Sequence, residues 1–550
     1  PSVGVFIDGV YRSRSAAQIG DLPNLERVEV LRGPQSTLFG KNASAGVISV
    51  VTRAPDGESR GKISATVGNY DQTVFKAQVE GGLTDNIAFD LSGSFNNRNG
   101  YIKNEATGSD LNDRDRMSLR GQLVFNPSDD TRIRVIADYD KIDELCCGVN
   151  NIFQSEAESL LNENPFTALD GLSAFYGGFD PMPTGTGAQV NANQPLALSV
   201  QHNSDPSNEI TTKGVSVQLD QNFDSFALTS ITSFRKVDSK SSIDADFTTA
   251  NVINNPIATD IETFTQEIRL TSTGDNAIDW MIGGFYFDEK IDYENRLEYG
   301  DDWRAFNENL AWAAGYSAVL DGLNAGLIPS DTVTGPPGTP LPNELYAAIV
   351  NQRGDLSGGL SPIATIAFLE SLVTGTFFPA GGLVNEVSTL DNQAYSFFGQ
   401  ADWNISDRLT ASLGLNYTDD EKEATLVQAN TDLFSSLCLE AEGCPANPTD
   451  IILGGAFSDF SDLQFLNPLQ NYPNAEEDGK SQDDKLTYAF RLAAEVNDTV
   501  NVYASVSTGF KATSWNLSRD SRPSAATIAA LGTDAVNNVT PGTRFAGPED

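Results

Sequence analysis

Residues 26–52, ERVEVLRGPQSTLFGKNASAGVISVVT, decide how this 550-residue chain is read. Val28 and Val30 alternate with charged neighbours, as in a half-buried strand. Gly33-Pro34 ends that strand, because proline fixes φ and lacks an N–H while glycine tolerates φ > 0. Ser36 is placed to cap a brief helical turn through Leu38. Gly40 and Gly46 bracket a polar corner before the β-branched run at residues 47–52. Upstream, residues 3–10 (VGVFIDGV) read as another strand with an Asp8-Gly9 turn. On their own these residues describe a small α/β unit.

Beyond residue 57 the chain runs for several hundred residues in two-residue alternation. Leu409, Ala411, Leu413, Leu415 and Tyr417 alternate with Thr410, Ser412, Gly414, Asn416 and Thr418. The runs from Leu486 to Val496 and from Ile87 to Phe95 repeat the pattern, each approaching the roughly 9–11 residues of a tilted membrane crossing. Tight polar turns fall near residues 84–86, 126–130, 224–225, 274–276, 404–407 and 497–499 and read as periplasmic. Long segments near 146–209, 298–389 and 428–480 read as extracellular. We count about thirteen strands between residues 60 and 517. The expected fold is mainly β: a large antiparallel transmembrane β-barrel with a partial α/β plug in its lumen. A soluble β-sandwich shares the alternation but not the one-sided distribution of long loops. Phe125, Phe223, Trp280, Trp403 and Tyr503, near strand ends, fit an interfacial girdle.

Composition narrows the function. With 35 Lys+Arg against 75 Asp+Glu the net charge is −40, which disfavours nucleic acid as a partner. No run of about 18 apolar residues is available for a membrane-spanning helix. His202, the single histidine, lies in the polar loop sequence QHNSDPSN and is expected to be solvated. It has neither a nucleophile motif nor a metal-spaced partner, so no enzyme activity and no metal site are expected. A single histidine also counts against a haem ligand held by histidine.

VGVFIDGV and then LERVEVLRGPQSTLFGKNASAGVISVVT resemble the C-terminal half of the plug domain of TonB-dependent outer-membrane receptors. ETFTQEIRLTS (262–272), DWMIGGFY (279–286) and VYASVSTGFKA (502–512) are similar to recurring barrel strands of that family, so the likeness covers essentially the whole chain. The resemblance implies residues 1–56 as the C-terminal part of a plug and residues 57–550 as a barrel incomplete at its C-terminus. Plugged transporters have about 22 strands. The chain is therefore expected to be a fragment, with the initiator Met, export leader and TonB box lying outside it.

The implied function is import of a scarce ligand, most often a ferric siderophore, across a Gram-negative outer membrane. The implied partners are that ligand, outer-membrane lipid and the TonB–ExbB–ExbD complex, whose pull rearranges the plug; no cofactor is implied. A non-iron nutrient (glycan, aromatic compound or cobalamin) and a passive porin stay open as alternatives. In the family the arginine of the LRGP segment is expected to pair with carboxylates of the barrel wall. Arg32 holds that place, beside Gly33 and Pro34, with Glu267 and Glu495 on polar strand faces as expected partners; an exposed arginine near the periplasmic mouth is the open alternative.

Trp303, Phe306, Trp312 and Tyr316, in the longest loop, are candidates either to stack on a ligand or to pack the loop itself. Cys438 and Cys444 are expected to form a small external disulfide. For the adjacent Cys146 and Cys147 three states are open: reduced, bonded to each other, or metal-bound.

Overall fold

The computed structural model describes residues 3–14, 24–39, 43–149, 198–303, 381–431, 479–497 and 499–515. The first of these segments form β1 (Val3–Ile7), β2 (Val10–Tyr11), β3 (Leu25–Arg32), α1 (Ser36–Phe39) and β4 (Gly46–Thr52). They make a four-stranded sheet of order β2-β1-β4-β3, with β1 parallel to β4 and the other pairs antiparallel. Asp8 (φ 50°) and Gly9 (φ 78°) make the two-residue turn between β1 and β2, in the left-handed region that Asp-Gly favours. At Gly46 a Cβ would meet the Leu31 carbonyl oxygen at 2.5 Å, so β3 and β4 approach this closely only because that residue is glycine.

The remaining strands are β5 (Arg60–Val67), β6 (Thr73–Thr84), β7 (Ile87–Arg98), β8 (Ile102–Asn104), β9 (Asp110–Leu111), β10 (Arg114–Ser128), β11 (Thr131–Glu144), β12 (Ser199–Val200), β13 (Ser207–Asn222) and β14 (Phe226–Asp244), then β15 (Ile253–Ser272), β16 (Ile278–Tyr299), β17 (Leu383–Ser406), β18 (Leu409–Asn430), β19 (Lys480–Asn497) and β20 (Val500–Ser507). Thirteen of them pair in one sheet, each next to its sequence neighbour apart from the short β8, β9 and β12, which form a separate three-stranded sheet. The thirteen-strand count from alternation matches this sheet. The six expected tight turns link β6 to β7, β10 to β11, β13 to β14, β15 to β16, β17 to β18 and β19 to β20, so they share one rim.

The wall is inside-out relative to a soluble sheet. Leu413, Leu415 and Tyr417 are 41–49% exposed, while Asn416, Thr418 and Asp420 on the other face of β18 are buried. Leu486, Tyr488 and Phe490 on β19 and Leu91 and Phe95 on β7 are exposed in the same way. An apolar outer face is stable where its solvent is hydrocarbon, and the polar inner face finds partners in the plug and in neighbouring strands.

Two apolar clusters lie inside. Phe6, Tyr11, Ala43 and Val47 of the plug pack on Phe287 of β16 and Ala394 of β17. Ile142, Ile210, Val237, Ile261, Ile291, Leu390 and Ala424, one from each of seven adjacent wall strands, form a belt closer to the rim of the long connections.

Candidate functional site: the plug–wall junction

The Asp8-Gly9 turn drives a carboxylate into the wall. Asp8 is buried, and its oxygens accept hydrogen bonds from the Thr52 backbone N–H (2.8 Å) and the Thr52 hydroxyl (3.0 and 3.1 Å), which ties the turn to the end of β4. From the wall, Arg120 of β10 donates to Asp8 Oδ2, and Arg134 Nη2 of β11 lies 3.5 Å from Asp8 Oδ1. Arg134 also donates to the Thr52 carbonyl (3.1 Å) and hydroxyl (2.8 Å). Gln122 orients it, accepting from Nε at 3.1 Å and Nη2 at 2.6 Å. Behind this pair, Asp138 accepts both terminal nitrogens of Arg235 on β14, at 2.6 and 3.0 Å, and lies 3.7 Å from Arg120.

Further ties hold the rest of the plug. The Ser13 hydroxyl donates to Glu289 of β16, which also accepts from Thr263 of β15 at 3.2 Å. Asn416 of β18 donates to the Thr37 carbonyl (3.3 Å), and the Phe510 backbone N–H donates to the Ser36 hydroxyl (3.2 Å). Arg12, 5% exposed, lies beside Asp138, Asp140 and Asp8, and burial pulls its guanidinium below its ordinary pKa. The arrangement is a set of buried charge-assisted bonds between two separately built bodies. Such bonds resist pulling while intact and leave uncompensated charge when broken.

Residues 1–47 match the family described as TonB-dependent Receptor Plug Domain, and residues 153–549, more than half of the chain, match TonB dependent receptor-like, beta-barrel. The chain belongs to the TonB-dependent receptor family. That family is made of transport receptors. Among curated proteins, the receptor is similar to the pesticin receptor of Yersinia enterocolitica, 37% identical over 111 residues that make up 20% of this chain and 16% of the relative. It is also similar to the ferrioxamine B receptor of Salmonella typhimurium, 30% identical over 139 residues, 24% of this chain and 19% of the relative. Among solved structures, the ferric yersiniabactin uptake receptor of Yersinia pestis superposes with a TM-score of 0.60 at 16% identity, over 94% of this chain and 57% of that one. The siderophore receptor PiuA of Acinetobacter baumannii does so with a TM-score of 0.52 at 12% identity, over 92% and 58%. These superpositions show the fold, and the chain spans less than two thirds of either structure.

The plug–wall contacts described above do not include Arg32. Gly33 (φ 80°) and Pro34 do make the turn after β3. Arg32, however, is exposed and has no ion pair among the described residues. Glu267 pairs instead with Arg269 on its own strand at 3.3 Å, and Glu495 is exposed near the short-turn rim. In the ion pairs at Asp8 the acid is on the plug and the arginines are on the wall. The sequence marks the parts but not their pairing: Arg120, Arg134 and Asp138 stand on the inward faces of strands, and Asp8-Gly9 reads as a turn. Glu267 and Arg269 border a cavity of about 170 Å³ between plug and wall, with Phe6, Phe39, Phe285 and Phe398 among its other walls.

At the long-connection rim one expectation is corrected. His202 is 2% exposed, not solvated. Asn104 of β8 bonds its backbone on both sides, donating to the His202 carbonyl at 3.0 Å and accepting from its N–H at 3.1 Å, while the ring lies against Phe247. Nε2 is 3.1 Å from the Val149 carbonyl, which can only accept, so the proton sits on Nε2. Burial lowers the pKa of this imidazole. Asp205 nearby accepts from Asn104 (2.9 Å), Thr107 (2.6 Å) and Ser109 (2.5 Å). Burial opposes the charge on Asp205, but these donors outweigh it and hold the carboxyl below its ordinary value.

Trp303 is fully buried and stacks on Tyr299 at the base of its loop, with ring centroids 4.0 Å apart. Cys146 and Cys147 are bonded to each other. Gly46 opens β4; Gly40, Phe306, Trp312, Tyr316, Cys438 and Cys444 lie outside the described residues. No group of three metal-binding side chains occurs among the described residues.

Proposed function

We propose that this chain is the plug-and-wall part of an outer-membrane importer whose ligand is a ferric siderophore and whose plug is moved by the TonB–ExbB–ExbD complex. The observation that carries the reading is the junction itself: a plug held inside the wall by a few buried, directional charge pairs, with Asp8 as the hub. A passive pore has no use for such a body in its lumen. A permanently sealed barrel would bury the same contact more cheaply with apolar side chains, since replacing buried ion pairs by well-packed hydrophobic residues is often neutral or stabilising. Charge pairs suit a contact that must be rigid at rest and separable under load.

The ligand class is supported by the relatives, whose names are those of pesticin, ferrioxamine and ferric yersiniabactin receptors. In this reading the short-turn rim faces the periplasm, the long connections face outward and the exposed apolar band lies in the outer membrane. Uptake of radiolabelled iron chelates by cells expressing the full-length gene, with and without TonB, tests it. TonB-dependent accumulation of one chelate supports siderophore import. TonB-dependent growth on a glycan, an aromatic compound or cobalamin, with no iron uptake, replaces the ligand class. Uptake indifferent to TonB removes the coupling.

A further inference from the structure

The cavity between plug and wall has the size and lining of a small-molecule site. It holds about 170 Å³, close to the engineered interior cavities of about 150 Å³ that take a benzene ring. Phe6 and Phe39 of the plug, with ring centroids 5.0 Å apart, line it together with Phe285 and Phe398 of the wall. Phe398 is seated over Gly283, where a Cβ would meet its ring at 2.5 Å. Glu267 and Arg269 are the charged residues among the walls, and Arg269 is the one charge acting on Glu267 among the described residues. They touch once, Arg269 Nη1 to Glu267 Oε1 at 3.3 Å, with the Glu267 side chain 18% and the Arg269 side chain 37% exposed. Neither side chain has another polar partner among the described residues, so a carboxylate oxygen and guanidinium donors stay open beside the rings. An apolar, aromatic hollow with a few convergent polar groups is the usual make-up of a ligand site. Because the acid and base balance, a ligand of net charge would leave one of them uncompensated, and a neutral ligand would not. A hydroxyl answers both, donating to the carboxylate and accepting from the guanidinium, while the four rings suit a flat aromatic body.

We propose that this cavity binds a small neutral phenol, its ring among Phe6, Phe39, Phe285 and Phe398 and its hydroxyl between Glu267 and Arg269. A molecule seated there touches plug and wall together, so it holds the plug in its seat. The site does not depend on which ligand the receptor imports.

Crystals of the full-length receptor soaked in 4-bromophenol test this by diffraction at the bromine edge. The expected result is an anomalous peak inside the cavity, with the phenol oxygen in hydrogen-bonding contact with Glu267. A cavity that holds water alone, or a side chain of the receptor's own chain, overturns the proposal. So does an equal bromine peak with 4-bromobenzoate or 4-bromobenzylamine, whose net charge the balanced pair should reject. In solution, calorimetric titration of the full-length receptor with 4-bromophenol is expected to show saturable binding. A bromine peak without it marks binding at crystal concentration only and overturns the proposal. Glu267→Gln is expected to weaken binding about tenfold, the difference between a hydrogen bond to a charged and to a neutral acceptor. Ser49→Leu, which fills the cavity from β4, is expected to abolish it. Unchanged binding in either variant overturns the proposal. If neither variant assembles, the wild-type diffraction and titration decide.

Discussion

Two carboxylates, one buried and one half-buried, anchor two different contacts in this receptor. Asp8 at the plug–wall junction is held by arginines that reach across from another body. Asp205 at the long-connection rim is held by the neutral donors Asn104, Thr107 and Ser109 of one local sheet. Breaking the first strands positive charge inside the lumen, whereas breaking the second frees groups that water can satisfy at the rim. The difference teaches where the fold concentrates its cooperativity. The junction is expected to fail as a unit, and the rim to open in small steps.

The largest effect is expected from Asp8→Ala. Arg120 and Arg134 lose their counter-charge, and removing one partner of a buried pair typically costs about 3–5 kcal/mol. Limited proteolysis of the plug in the full-length receptor should accelerate accordingly. Asp8→Ala combined with Arg120→Met should cost less than the sum of the two single changes, and strict additivity in that cycle would remove the pair from the latch.

Asp205→Ala is expected to cost less, about 1.5–3 kcal/mol for hydrogen bonds to a charged group. The loss should appear as faster amide exchange in residues 102–111 with no change in plug protection. Coupled loss of both would erase the distinction between the two regions.

A third difference is set by pH. Burial lowers the His202 pKa from 6.5, so the unfolded rim takes up a proton before the folded one does. The stability that His202 contributes is present above 6.5 and is lost as pH falls from there toward the folded value. Asp205 acts in the same direction at lower pH, and Asp246, raised by burial, acts in the opposite direction. The His202 part is isolated by comparing amide exchange of residues 198–205 in wild type and His202→Asn between pH 7.5 and 5. Wild type should lose protection relative to the variant on acidification.

The smallest effect is expected at Arg32. Arg32→Ala should change plug proteolysis less than Asp8→Ala does, because Arg32 makes no ion pair among the described residues.

The wall was legible because its physics is local. A sheet with hydrocarbon on one face and polar groups on the other must alternate with period two, and its six tight turns carry the residues that turns need. The Gly33-Pro34 turn and β4 were legible for the same reason. The junction was not, since Asp8 meets Arg120 across 112 residues and Ser13 meets Glu289 across 276, and nothing near either partner records the other. Arg32 is the charged residue of a motif, yet it has no ion pair among the described residues. His202 was misjudged because its polar neighbours suit a solvated loop, whereas its burial is made by Asn104, Val149 and Phe247, each distant in sequence.

The same separations set a timetable for assembly. Each wall strand pairs with its predecessor through hairpins or rim connections, so the wall can be laid down in order. The plug comes earlier in the chain than every strand that holds it: Asp8 waits for β10, Ser13 for β16, Thr37 for β18 and Ser36 for residue 510. Contacts so far apart form late and slowly. This plug segment is therefore made before the wall and fastened after it, and until then its buried charges must be kept wet.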